Sequence, residues 1–197
     1  MFCTTYVAPN GIEASDKPLD EKIQKTLERI SKLVVMLLEE CLKVGKVYII
    51  TNAIHGWVEY SIKKYMPKAA RILEKVRVIS ARAEFEDAFP DQVDQWKMHA
   101  YLEVKNNTDI LTNIIAIGDA NRDLLAAHHL AGYFLLLICS GYKSFLIKTV
   151  KCKENPDPLE MVRQLEMLIK KFPQIHSSFK NLSIKLERYN SIKRVRK

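Results

Sequence analysis

The feature of this sequence that most limits its possible folds is the alternation of short apolar runs with amphipathic stretches. Asn113–Gly118, with the sequence Asn-Ile-Ile-Ala-Ile-Gly, is the clearest strand, because its apolar residues are consecutive and mostly β-branched. A predicted helix over 121–130 follows it directly. Parallel neighbours need connections long enough to hold a helix, so this order predicts a parallel sheet. We therefore expect an α/β fold, a doubly wound Rossmann-like sheet with helices on both faces.

The same alternation extends through most of the chain. Residues 18–42 carry apolar side chains at steps of three and four, which predicts a long amphipathic helix. The other expected elements are a strand at 46–51, a helix at 55–65 stopped by Pro67, a strand at 76–80, a helix at 94–104, a strand at 145–150 and a helix at 158–171. Residues 179–186 fit either a strand or a helix.

Length and composition indicate one packed domain. The chain has 197 residues, 48% of them hydrophobic and 27% charged, which suits a single hydrophobic core. No internal repeat and no linker divides the sequence. We expect one domain over 1–190 followed by a basic tail over 191–197.

Charge and cysteine content restrict the environment and the partners. The net charge is +8, and half of it comes from Lys193, Arg194, Arg196 and Lys197. The rest of the chain is only mildly basic, so we do not expect a nucleic-acid role, which would have to depend on the tail. The four cysteines form no Cys-x-x-Cys pair, and no signal peptide or membrane-spanning run stands out. We expect a reduced cytoplasmic protein without membrane contact.

Polar side chains follow the predicted strand at 46–51. Ligands of open parallel sheets bind beyond the carboxyl ends of the strands, so such positions are candidate sites. Thr51 and Asn52 could hold a phosphate oxygen through a side-chain hydroxyl and free backbone N–H groups. The same residue types are common helix caps, and alone they favour a structural role.

A second polar group follows the strand that ends at Gly118. Asp119 and Asp123 are spaced so that both carboxylates can lie at the start of a helix, and carboxylate oxygens suit Mg²⁺. Helix capping explains the same residues without a metal. Lys97, near the start of the 94–104 helix, could bring an ammonium group to a phosphoryl group, although a single lysine on a helix is usually solvated.

The order of these features resembles the haloacid dehalogenase-like hydrolases. Ile50-Thr51-Asn52 resembles the second motif of that family, Lys97 the third, and Gly118-Asp119-Ala-Asn-Arg-Asp123 the fourth. Residues 52–58 and 147–151 further resemble a eukaryotic branch of the family that is typical of protists. The resemblance covers the chain from its start to residue 150.

The resemblance implies a magnesium-dependent phosphatase or phosphotransferase that acts on a phosphorylated small molecule or macromolecule. Thr51 and Lys97 would be catalytic, and together with Asn52 they would bind phosphate. Asp119 and Asp123 would bind Mg²⁺. The short connections after Thr51 and Ser80 imply a small or absent cap and an open site. Neither the substrate nor the oligomeric state can be read from these residues.

The sequence departs from the family at the first motif. There, a central strand ends in Asp-x-Asp-x-Thr, whose first aspartate attacks phosphorus, and no such run occurs here. Met1–Val7 resembles the segment that follows this motif, so we expect a chain that starts a few residues late. As written it should show little or no turnover. The alternative is a non-catalytic domain that binds a partner.

Overall fold

The structure is a computed structural model that describes residues 20–106, 113–138 and 146–186. The predicted tail at 191–197 and the segment Met1–Val7 lie outside the described residues. In chain order the helices and strands are α1 (Glu21–Val44), β1 (Tyr48–Thr51), α2 (Trp57–Tyr65), a 3-10 turn (Pro67–Ala69), α3 (Ala70–Leu73), β2 (Arg77–Ser80), α4 (Ala81–Phe85), α5 (Val93–Asn106), β3 (Asn113–Gly118), α6 (Asn121–Ile138), β4 (Leu146–Lys151), α7 (Pro158–Ser177) and β5 (Leu182–Lys185).

The described strands pair in parallel and form two sheets. β1 pairs with β2, which places Thr51 opposite Ser80. β3, β4 and β5 form the second sheet, in which Gly118 lies opposite Lys151. The prediction of an α/β fold with parallel strands is confirmed. The predicted single sheet is not what these ranges form, because β1 and β3 each have a strand neighbour on one edge only among the described residues.

One hydrophobic core covers a face of both sheets. Helices α1 and α7 pack along each other through residues such as Val34 and Leu165, which are almost completely buried. The strand residues that contact this core come from both sheets and are Ile49, Val78, Ile115, Ile117, Val150, Leu182 and Ile184. The same helical layer therefore covers the two sheets.

The opposite faces are covered by α4, α5 and α6. Tyr48 and Ile50 of β1 join a second core with Ile79, Trp96 and Ala100, so β1 contacts helices on both of its faces. Helix α6 packs on β3 and β4 and also against α5. Burial from both sides explains why the apolar residues of β1 and β3 are consecutive and do not alternate with polar residues.

Capping residues fix the ends of the two longest helices. The Asp20 side chain accepts a hydrogen bond from the Lys22 N–H at 2.8 Å, and α1 ends at Gly45. Asp157 caps α7 through the Glu160 N–H at 2.8 Å, with Pro158 in the first turn. Both starts follow the usual preference for a short oxygen-bearing side chain at the N-cap.

Several predicted boundaries were wrong. Helix α7 does not stop at residue 171 but continues to Ser177 with Pro173 inside it, because Phe172 and Ile175 extend its buried face. Helix α6 continues past residue 130 to Ile138, since an isolated glycine such as Gly132 does not end a helix.

The remaining differences concern short elements. Pro67 begins a 3-10 turn after α2, helix α4 was not predicted, and the ambiguous segment at 179–186 contains strand β5. Within the described ranges, no helix combines the length and apolarity that crossing a membrane requires.

Candidate functional site

Lys97 and Asp123 form an ion pair beside the carboxyl end of β3. The Lys97 Nζ donates to the Asp123 Oδ1, and each side chain is only 14% exposed. Trp96 and Ala100 are buried and hold this part of α5 against the first sheet. The pair therefore links α5, which covers the first sheet, to α6, which follows β3 of the second sheet.

Gly118 provides the space in which Asp123 lies. A Cβ atom on Gly118 would be 2.6 Å from the Asp123 Cβ and 2.8 Å from its Oδ2. The Asp123 N–H donates to the Ala120 carbonyl at 3.1 Å, which closes the first turn of α6. The Asp123 carboxylate thus lies over Gly118, which is the last residue of β3 and the residue before Asp119.

Asp119 is exposed, and its main chain is held from β4. The Lys151 Nζ donates to the Asp119 carbonyl and, at 2.8 Å, to the Glu154 Oε1. Lys151 was not among the predicted site residues, and it directly follows the predicted strand at 145–150. Lysine is seldom buried, so the sequence held no signal for its position. Lys151 is 6% exposed, so its ammonium belongs to the interior of the β3–α6 turn.

Thr51 and Ser80 hold the loop that follows β1. The Thr51 Oγ1 accepts the Ala53 N–H at 3.1 Å, while the Ser80 Oγ donates to the Ala53 carbonyl at 2.7 Å. Ser80 also caps α4 by accepting the Ala83 N–H at 3.1 Å. Ser80 was not among the predicted site residues. The sequence feature that could have indicated it is that the strand at 76–80 ends in a hydroxyl residue, as the strand at 46–51 does, and the two residues lie opposite each other.

Asn52 has a buried side-chain oxygen, Oδ1, without a hydrogen-bond donor among the described residues. Leaving a buried acceptor without a donor costs about 1–3 kcal/mol. The position is therefore suited to an additional donor or cation at the end of β1.

Tyr101 lies one helical turn after Lys97, on the same side of α5. Burial raises the pKa of its phenol, and the negative charge of Asp123 raises it further. The phenol consequently stays protonated at neutral pH next to the ion pair.

A shallow depression of about 400 Å³ lies between the start of α5 and the start of α6. Its lining consists of residues 91–95, at and before the start of α5, together with Arg122 of α6. Most of these side chains are polar, so the depression suits a hydrated ligand and not an apolar one.

The predicted residues therefore form two groups. One contains Thr51 and Asn52 at the end of β1, and the other contains Lys97, Asp119 and Asp123 at the end of β3. No hydrogen bond or ion pair joins the two groups within the part of the chain that the structure describes. The same part contains no cluster of three or more histidine, cysteine or acidic side chains that could hold a metal.

Comparison of the chain with protein-family models, with curated proteins and with solved structures finds no match. Function is therefore inferred from the residues and contacts described above.

Proposed function

We propose that this chain belongs to a magnesium-dependent phosphatase or phosphotransferase domain of the haloacid dehalogenase-like kind. The observation that carries the proposal is the Lys97–Asp123 pair, which lies with Asp119 at the carboxyl end of β3. A phosphoryl group in transfer spreads negative charge over its oxygens, and fixed cations at such a position stabilise it. A lysine, two carboxylates and a helix N-terminus at one strand exit suit that chemistry.

Asp119 and Asp123 would hold the metal. Mg²⁺ commonly takes one or two protein carboxylates and leaves its other positions to water and substrate phosphate, so this pair is sufficient in number. Lys97 contacts Oδ1 of Asp123, which leaves Oδ2 for a cation. When bound, Mg²⁺ would supply positive charge that stabilises the negative charge of a phosphate group.

Lys97 would have two tasks. It holds the Asp123 carboxylate in place through one N–H, and its other N–H donors could reach a phosphate oxygen. Because the pair is mostly buried, its geometry would be kept between substrate binding and transfer.

Thr51 and Asn52 would bind phosphate from the other side. The Thr51 oxygen already accepts the Ala53 N–H, so its own hydrogen is available for a phosphate oxygen. Ser80 fixes the Ala53 carbonyl and thereby the loop that carries both residues.

The division of the strands supports an additional strand between β1 and β3. In the family that this sequence resembles, the strand with Asp-x-Asp-x-Thr is central, and here β1 and β3 each have one unpaired edge among the described residues. A strand in that place would complete one doubly wound sheet. Its first aspartate would then lie between the Thr51 and Asp119 groups, in line for attack on phosphorus.

The test compares the 197-residue chain with a form extended upstream through an Asp-x-Asp-x-Thr strand. Hydrolysis of p-nitrophenyl phosphate is measured with Mg²⁺ and with EDTA. We expect magnesium-dependent turnover by the extended form only, and its loss in the Asp119→Asn variant of that form. Asp20→Asn is the matched control, because it removes one carboxylate but keeps a capping side chain at the start of α1. The proposal fails if the upstream coding sequence contains no such strand, or if the extended form shows no turnover.

A non-catalytic binding domain is the second candidate. It is favoured by one observation, namely that the printed sequence has no Asp-x-Asp run while Asp123 is already paired with Lys97. Cooperative folding of the extended form without turnover would support this candidate.

A further inference from the structure

Lys151 has a position that the proposed reaction does not use. It ends β4, the middle strand of the second sheet, and it is 6% exposed. A buried ammonium group is costly unless it is hydrogen-bonded and paired with an opposite charge. Lys151 has both kinds of partner, the Asp119 carbonyl and the Glu154 carboxylate at 2.8 Å.

The end of β4 holds two consecutive carbonyl groups of the β3–α6 turn. The Cys152 N–H donates to the Gly118 carbonyl at 2.7 Å, and the Lys151 ammonium donates to the Asp119 carbonyl. Each carbonyl belongs to a planar peptide unit, and these two units flank the Asp119 Cα. Holding both planes therefore fixes the direction in which the Asp119 side chain leaves the main chain.

We propose that Lys151 is a positioning residue for the metal ligand Asp119. Its ammonium holds the main chain of Asp119 so that the carboxylate is directed to the cleft at the end of β3. Glu154 balances the lysine charge, which limits its repulsion of a bound dication. This inference rests on the proposed function, since it takes Asp119 to be a metal ligand.

The sign of a substitution effect distinguishes positioning from simple charge. Lys151→Met removes a positive charge near the metal, and by Coulomb's law alone this would strengthen binding of a dication. Loss of the hydrogen bond to Asp119 has the opposite effect, because the carboxylate is no longer held in place. Weaker binding in a folded Lys151→Met variant therefore indicates lost positioning.

The experiment titrates Mn²⁺, as a paramagnetic stand-in for Mg²⁺, into the 197-residue chain and follows free Mn²⁺ by electron paramagnetic resonance. We expect Lys151→Met to raise the dissociation constant about tenfold, the size usual for residues that orient metal ligands. Lys153→Met is the matched control, because that exposed lysine lies two residues after Lys151, just beyond β4, and makes no ion pair within the described ranges. Its dissociation constant should stay within about twofold of the original, as expected for an exposed charge.

Thermal unfolding of each variant shows whether it is folded. If Lys151→Met does not fold, Lys151→Gln provides the test, because its polar end can still pair with Glu154 while its shorter side chain loses the ammonium bond to the Asp119 carbonyl. It also removes the positive charge, so weaker Mn²⁺ binding, expected again at about tenfold, has the sign that only lost positioning predicts.

The two proposals fail in different ways. Unchanged or tighter binding by folded Lys151→Met, or by folded Lys151→Gln when that variant is needed, overturns the positioning role alone. If the original chain binds no Mn²⁺, the metal site of the proposed function fails and the role of Lys151 fails with it.

Discussion

The Lys97 ammonium and the Asp123 carboxylate meet between two helices that cover different sheets, and each side chain is 14% exposed. A typical surface pair of the same protein is Lys25 and Glu21 on α1, whose side chains are 74% and 80% exposed. Water screens the surface pair well and the Lys97–Asp123 pair poorly, so the two should differ in energy.

A double-mutant cycle on Lys97→Met and Asp123→Asn measures this difference. We expect a coupling of about 1–3 kcal/mol in the free energy of unfolding, because the partners are in contact and largely shielded from water. The same cycle on Lys25→Met and Glu21→Gln should give less than about 0.5 kcal/mol. Urea unfolding followed by circular dichroism provides the values. Equal coupling in the two cycles would contradict the structural role of the Lys97–Asp123 pair.

Gly118→Ala tests the close approach of β3 and Asp123. The added methyl group would lie 2.6 Å from the Asp123 Cβ, so the first turn of α6 must shift. We expect a loss of about 1–3 kcal/mol in the free energy of unfolding, the usual cost of overpacking.

Gly132→Ala is the matched control for that substitution. Gly132 lies inside α6, and apart from the helix's own backbone no described atom lies within 4 Å of the position of an added Cβ. Alanine there should stabilise the helix by about 1 kcal/mol. If the two alanine variants change the stability in the same direction, the steric explanation for Gly118 is wrong.

The sequence predicted the elements whose local signal is strong. Strand Asn113–Gly118 was predicted with its exact ends, because a continuous apolar run between loops leaves little ambiguity. Strand β5 stayed ambiguous, since Leu182 and Ile184 alternate with exposed residues over only four positions. So short a segment does not distinguish a period of two from one of 3.6.

The candidate site was predicted as a set of residues but not as a set of contacts. Lys97 and Asp123 were expected at the phosphate and the metal, and their direct pairing depends on how α5 packs against α6. The bonds from Lys151 to Asp119 and from Ser80 to Ala53 likewise join segments that are distant in sequence. A single sequence contains no signal for such partners, because propensity and periodicity predict individual helices and strands and not which of them come into contact.

The thiol of Cys41 should react slowly with alkylating reagents. Burial, and then the charge of Glu40, raise its pKa from 9.0 to about 11. Because the thiolate is the reactive form, its fraction at pH 8 is about a hundredfold lower than in the unfolded chain. Mass spectrometry of the peptide that contains Cys41 gives its alkylation rate in native buffer and in guanidinium chloride. Similar rates in both would show that the thiol is not shielded.

The same shift makes stability depend on pH. The folded chain keeps the Cys41 proton more tightly than the unfolded chain. The protonated thiol therefore makes its full contribution to the free energy of unfolding below about pH 9. It should be lost as the pH rises from about 9 to about 11, and Cys41→Ala should remove this part of the pH dependence.

Lys148 should have the opposite pH dependence. Its side chain is completely buried in β4, and its Nζ donates to the His176 carbonyl at 2.7 Å, near the end of α7. Burial lowers the pKa of this ammonium group. Between that lowered pKa and the ordinary lysine pKa of 10.5, the unfolded chain binds a proton that the folded chain has lost. The free-energy cost of burying Lys148 therefore falls as the pH rises through this window.

At pH 7, Lys148→Met should therefore be more stable than the original chain by about 1 kcal/mol in the free energy of unfolding. The substitution replaces a buried charge with an apolar side chain of similar length. Asn113 continues to donate to the His176 carbonyl at 3.2 Å, so that acceptor keeps a partner. The stability difference should shrink toward pH 10.5. Lys170→Met is the matched control, because it replaces an exposed lysine of α7. Chemical unfolding at a series of pH values measures both differences. A clear loss of stability in Lys148→Met at pH 7 would mean that the ammonium stabilises the end of α7 by more than its burial costs.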